Sequence, residues 1–191
     1  MNTMRGVTTA ICIALLIGCH NDKPHLGTVD SDHAVIEAAV ASFVNSGDVY
    51  TLAETPSLSP WLTSDLKGLR ARLHEIDELD HELVDSLISA NGSPTVFDQN
   101  QFPQESRLRT LSEEAQKRIF MQAGDGWAIF KKEVGTDGFV TLSRPGYSAD
   151  RSTALIAIWH KRHDRWQRGS FLVGDRVDGT WVFREIQSLS A

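Results

Sequence analysis

Ala154-Leu155-Ile156-Ala157-Ile158-Trp159 is the stretch on which the fold turns. Six apolar residues in succession read as a strand buried on both faces, which belongs in the middle of a sheet with helices covering at least one side. Around it, through the last third of the chain, β-branched and aromatic residues alternate or cluster between Gly, Asp and Pro punctuation. Residues 139–143, 165–173 and 180–186 accordingly read as three further strands. Asp178-Gly179 is a two-residue hairpin signal, because both positions tolerate positive φ. Gly169, inside the strand after the central one, suggests a bulge or a close approach of backbone.

Upstream the period changes to that of helices. Ser31 or Asp32 can cap a helix carrying Val35, Ile36, Ala39, Val40 and Phe43 on one stripe, stopped by Asn45-Ser46-Gly47. Residues 48–52 have a short strand's composition and are ended by Pro56 and Pro60. Leu62, Leu66, Leu69, Leu73, Ile76, Leu79, Leu83 and Leu87 then recur at spacings of three and four up to Asn91-Gly92, a long amphipathic helix or a broken pair. Residues 93–111, with Pro94 and Pro103, read as a long loop. Ser112 caps a helix with Glu113 and Glu114 in its first turn, running to about Gln122. Trp127, Phe130 and Val134 mark another short helix that ends near Gly135. The expected fold is therefore α+β, a single domain over residues 31–191 with N-terminal helices packed on a C-terminal antiparallel sheet of four to five strands.

At the other end of the chain, Leu16-Ile17-Gly18-Cys19 reads as a bacterial lipobox. Arg5 supplies a positive n-region, and Ala10 through Ile17 is an apolar run of signal-peptide length, well short of the roughly 20 residues that span a bilayer. The small Gly18 admits peptidase cleavage before Cys19, whose sulfur takes the diacylglyceryl group, and two or more acyl chains such as palmitate hold a soluble domain firmly. Residues 1–18 are then a cleaved signal peptide and residues 19–30, polar and containing Pro24 and Gly27, a lipidated tether. The reading places the protein in a bacterial cell envelope, anchored to the membrane through Cys19. His20 stands where an aspartate would favour inner-membrane retention, so in a Gram-negative source the outer membrane facing the periplasm is the expected location.

Gly126-Trp127, Ser143-Arg144-Pro145-Gly146-Tyr147, Ala154-Leu155-Ile156 and Gly179-Thr180-Trp181 together resemble a pattern in uncharacterised bacterial envelope proteins: a Gly-Trp helix, a Ser-x-x-Gly-aromatic turn, an Ala-rich strand and a closing Gly-x-Trp strand. It covers roughly residues 110–187. The resemblance implies an α+β topology and carries over no catalytic residue, and the Gly-x-Gly often found between the middle strands is reduced here to Gly169.

Composition narrows the functions further. The formal charge of −6 moves to −7 once Arg5 is removed, which argues against nucleic acid as a partner. Cys12 lies within the signal segment, so the mature chain has no pair of cysteines to form a disulfide. The densest polar cluster, Trp159-His160-Lys161-Arg162-His163-Asp164-Arg165-Trp166, spans a hairpin tip. His160, His163 and Asp164 are metal-ligating or acid-base types, and Trp159 and Trp166 flank them, but two histidines three apart on extended chain point to different sides and the nearby cations repel a metal ion. The plainer reading is a solvated tip, with an acidic partner surface as the alternative use of Lys161, Arg162 and Arg165. Glu78-Leu79-Asp80-His81 has the Glu-x-x-His spacing of di-iron bundles, but a single copy without glutamates elsewhere reads as the polar side of a helix together with His74 and Asp85. No Gly-x-Ser-x-Gly elbow occurs, and Ser143 or Ser148 beside His160 is a weak triad. The tryptophans, including Trp61, Trp127 and Trp181, are core residues or sugar-stacking platforms. These readings lead to a non-catalytic binding or interaction module for an envelope protein, glycan or small ligand, with no cofactor and no metal. The rival is an envelope hydrolase or metal-dependent enzyme using the 93–111 loop and the 160–164 tip.

Overall fold

A computed structural model of the chain describes residues 32–44, 50–54, 66–93, 96–97, 99–104, 106–121, 124–163 and 166–189. The lipobox and the tether lie outside these residues. The described elements follow in the order α1 (His33–Val44), β1 (Tyr50–Ala53), α2 (Leu66–His74), α3 (His81–Ala90), a 3-10 turn (Gln99–Gln101), β2 (Leu108–Leu111), α4 (Glu113–Phe120), α5 (Gly126–Val134), β3 (Phe139–Leu142), β4 (Gly146–Tyr147), β5 (Thr153–His163), β6 (Trp166–Val177) and β7 (Thr180–Leu189).

All seven strands join one sheet in the order β2-β1-β3-β5-β6-β7, with the short β4 pairing with the start of β5. The central strand is the one the sequence marks. Its even residues Ala154, Ile156 and Ile158 pack with α1, whereas its odd residues Leu155, Ala157 and Trp159 pack with α2 and α3. Both faces are thus covered, and each fully buried aliphatic side chain contributes about 1.5–3 kcal/mol. Every residue of the predicted α1 stripe is buried. On the second face α4 and α5 take over beyond the reach of α2 and α3, closing a third cluster around Phe130 and Phe139.

The α+β class holds, but the sheet is larger than four or five strands and it is mixed: β1 runs parallel to both β2 and β3. Nor are the helices all N-terminal, since α4 and α5 fall between β2 and β3. The described residues of the segment 93–111 are built into the fold rather than looped out, and they add β2 to the sheet. Phe97 and Phe102 are buried with α1, and Leu108 and Leu111 flank an exposed Arg109 at the sheet edge. Those two leucines serve opposite faces, so their spacing of three hides the strand period of two.

The leucine-rich stretch resolves into a broken pair. Helix α2 stops at His74, and after the turns of residues 75–79 Asp80 adopts extended backbone and caps α3, its carboxylate accepting the Glu82 amide at 2.9 Å. The second of the pair, α3, docks on residues 143–147. Asn91 is the clamp, donating to the Arg144 carbonyl at 3.0 Å and accepting from its amide at 2.8 Å, while the Tyr147 amide donates to Ser86 Oγ at 2.9 Å. Gly146 is required there, because a Cβ would overlap the Leu87 backbone. The Ser-x-x-Gly-aromatic turn is therefore a helix-docking site.

Three features complete the sheet. Asp178 and Gly179 both take positive φ, 49° and 81°, as the hairpin reading requires. Gly169 is a close approach rather than a bulge, since the Trp159 indole lies over it in the place of a side chain. In β7 the register slips by one residue at Ile186. Trp181 and Phe183, before the slip, pack on the α1 face, and Ile186 and Leu189 pack on the other. One extra residue lets a single strand seal both cores.

Candidate functional site

The site lies where α5, the turn after it and the far end of β5 meet. Asp125 caps α5 by accepting the Trp127 and Ala128 amides at 3.0 and 3.3 Å, which fixes the half-buried Trp127 in the first turn. The Trp127 ring lies nearly parallel to Phe139 (15°) and edge-on to Phe130 and Phe120, with centroids 4.8–5.9 Å apart. Gly135, at φ 81°, ends the helix and turns the chain so that Thr136 and Asp137 come back beside Lys131. The Thr136 hydroxyl donates to the Gly138 carbonyl at 3.0 Å, so Thr51 is the donor in their 2.9 Å hydroxyl pair. That pair ties the turn to β1.

Pairing of β3 with β5 then sets Phe139 opposite Lys161, and Arg162 and His163 follow at the rim. The result is a cleft of about 470 Å³ with Trp127 as its apolar lining, the buried Phe130 beneath it, and Lys131, Asp137, Arg162 and His163 as its polar lining. Its size is in the range of small-molecule sites. Asp137 accepts from Lys131 at 2.7 Å and faces Arg162 at 3.7 Å. The Lys131 hydrogen bond and charge, joined by Arg162, hold its carboxyl below the usual range.

The hairpin-tip residues are dispersed by this arrangement. Trp159 is buried under α2 and α3, and His160 lies on the opposite face, across from Val140. Burial, assisted by the charge of Arg162, pulls the His160 pKa down to about 4, so the ring is neutral near pH 7. Among the described tip residues, His163 and Arg162 are the ones that line the cleft. Asp164, Arg165 and the Trp166 side chain lie outside the described residues.

Elsewhere the polar candidates are engaged structurally. Ser143, fully buried, accepts the Ala157 amide at 3.0 Å where β3 ends, and Ser148 donates to Asp150 at 2.7 Å, so neither is aligned with His160 as a triad. Glu78 pairs with Arg184 at 2.6 Å, away from His81, whose ring stacks on His74 at 4.0 Å and 9°. Parallel imidazoles direct their in-plane lone pairs along separate planes, and among the described residues no group of three or more His, Cys, Asp or Glu is placed to hold a metal. A further polar cluster anchors the start of the domain: the buried Asp32 accepts the Tyr147 hydroxyl at 2.8 Å and faces Arg144 and Arg151 at 3.7 and 3.6 Å.

The chain matches no protein-family model, no curated protein and no solved structure. The cleft is thus read from its own geometry. The sequence marks Trp127 as a core residue or a stacking platform and Arg162 and His163 as part of a charged tip, but it does not single out Lys131, Thr136 and Asp137. Their only signal was the Gly135 helix stop, which reverses the chain toward its own last turn.

Proposed function

We propose that the protein is a lipid-anchored bacterial envelope protein whose domain is a non-catalytic binding module, with the cleft at Trp127, Lys131 and Arg162 as its binding site. The observation that carries this reading is the cleft itself, an aromatic lining under a charged rim. Hydroxyl chemistry has little purchase there, because Thr136 is held by Gly138 and Thr51.

The placement of the cleft suits an anchored protein. The chain enters the domain at Asp32, which faces Arg151 just before β5 begins, and the cleft lies at the other end of that strand, at Arg162. Nine residue steps of about 3.3 Å separate Thr153 from Arg162, or roughly 30 Å. A tether from Cys19 joins the domain at the Asp32 end, roughly a strand's length from the cleft. Among the described residues no helix is long and apolar enough to cross a membrane.

Two measurements test the proposal. Cys19→Ser should move the protein out of the membrane fraction or leave an unprocessed precursor, and unchanged fractionation and lipid labelling would remove the anchor. For the module, ligand-observed NMR of the full-length protein against envelope sugars and short peptides should find ligands whose signal is lost in Trp127→Ala. Binding that Trp127→Ala leaves intact would put the site elsewhere.

A further inference from the structure

Asn91-Gly92 is the one place in the chain where glycine follows asparagine. In an open chain this pair is chemically labile, because glycine has no side chain to obstruct the attack of its nitrogen on the asparagine amide carbon. In the fold that attack is held off in three ways. The Asn91 side chain is tied at both ends: Nδ2 donates to the Leu87 carbonyl at 2.7 Å and to the Arg144 carbonyl at 3.0 Å, and Oδ1 accepts the Arg144 amide at 2.8 Å. The Asn91 backbone, at ψ 8°, turns the Gly92 nitrogen toward the nitrogen of Asn91 itself, whereas ring closure needs it on the side of Cβ. The Gly92 N–H also donates to the Ser89 carbonyl at 3.2 Å. Arg144 supplies two of the side-chain partners, so this protection depends on the docking of α3 against residues 143–147.

We infer that Asn91 is a deamidation site gated by that docking, and that its conversion releases α3 from the sheet. When α3 lifts from Arg144, its last turn frays and the Asn91 side chain and the following peptide rotate freely. A base removes the Gly92 amide proton, the nitrogen bonds to Asn91 Cγ, and the Cγ–Nδ2 bond breaks, Nδ2 leaving as ammonia with a proton from water. Water then opens the cyclic imide. Breaking the new bond to Cγ leaves aspartate, and breaking the original peptide bond leaves isoaspartate, whose main chain is longer by a carbon. Neither product rebuilds the clamp. A carboxylate has no N–H for the Leu87 and Arg144 carbonyls and sets acceptor against acceptor in a part-buried site. It also puts a negative charge at the C-terminal end of α3, where the helix dipole is already negative. The reaction therefore runs one way and marks each copy of the chain in which α3 has undocked.

The test incubates the full-length protein in mildly alkaline buffer, with and without denaturing urea, and follows aspartate and isoaspartate at residue 91 by peptide mapping. Conversion should be about tenfold slower or more without urea, because only opened molecules react. Equal rates would remove the gate, and no conversion in urea would remove the site. Gly92→Ala adds a Cβ that meets only the Ser89 and Ile88 carbonyls, at 3.4 and 3.8 Å, so the fold is kept. It should slow conversion in urea about tenfold, since the attacking nitrogen now carries a side chain beside it. Conversion at the native rate would rule out attack by that nitrogen. Ser86→Ala deletes the acceptor of the Tyr147 amide and should speed conversion in buffer about fivefold, the scale of one hydrogen bond, with the rate in urea unchanged. If it does not, docking of α3 is not the gate and the inference fails. Asn91→Asp makes one product directly, and its α3 amides should exchange with solvent about tenfold faster than those of the native protein. Exchange at the native rate would contradict the release of α3.

Discussion

The backbone of Leu87 in α3 passes so close to Gly146 in β4 that a methyl group on Gly146 would overlap both the Leu87 nitrogen and its α-carbon. A clash with main chain cannot be relieved by a rotamer change, so the helix must lift from the sheet. Gly146→Ala should cost about 1–3 kcal/mol, the range for overpacking a well-filled site. Urea unfolding followed by circular dichroism measures it, and a loss under half a kcal/mol would show that α3 docks less tightly than described.

Asp32 and Tyr147 predict an alkaline limit. Burial and then the Asp32 charge push the Tyr147 phenol far above its ordinary pKa of 10.0. A raised folded pKa means that the stabilisation is complete below about pH 10 and is lost as pH climbs past it, since the unfolded phenol ionises first. Stability should therefore fall more steeply above pH 10 in the native protein than in Tyr147→Phe. The substitution itself should cost about 1–2 kcal/mol at neutral pH, because Asp32 loses its hydroxyl donor.

His160 predicts an acid limit. Its folded pKa, lowered to about 4, lies below the unfolded value near 6.5, so the unfolded chain takes up the proton first. The contribution is present above pH 6.5 and is lost as pH falls toward 4. His160→Gln should flatten the pH dependence of stability between those limits. In NMR the His160 ring resonances should hold their neutral positions at pH 5.5, and a midpoint near 6.5 would contradict the burial described.

Phe130 has no exposed surface and joins Trp127, Phe120 and Phe139 in one aromatic cluster beneath the cleft. Phe130→Ala should destabilise the protein by about 3–5 kcal/mol. Arg162→Gln, at an exposed ion pair, should change stability by less than about 1 kcal/mol. Thermal unfolding of the two variants side by side separates the cleft's support from its rim.

The elements legible in the sequence were those whose pattern is local. The α1 stripe, the Ser112 and Gly135 boundaries, the Asp178-Gly179 turn and the doubly apolar β5 each depend on residues within one element. What stayed hidden depends on partners far along the chain. Leu108 and Leu111 look unlike a strand until β1 lies beside them, and Asp137 looks like a loop residue until β5 brings Arg162 to it. Trp159 and His160 show the same limit from the other side. Adjacent in sequence, they read as one cluster, yet the strand period sends them to opposite faces of the sheet.

The slip at Ile186 bears on how the molecule meets its own copies. Among the described strands β7 is outermost on its side, ten residues long, with Val182 exposed, and a long outer strand is a template on which a second chain can add. The extra residue divides that template into two short runs whose donors and acceptors are out of step, so a straight incoming strand can match one run but not both. Such a break is a safeguard against sheet-to-sheet self-association.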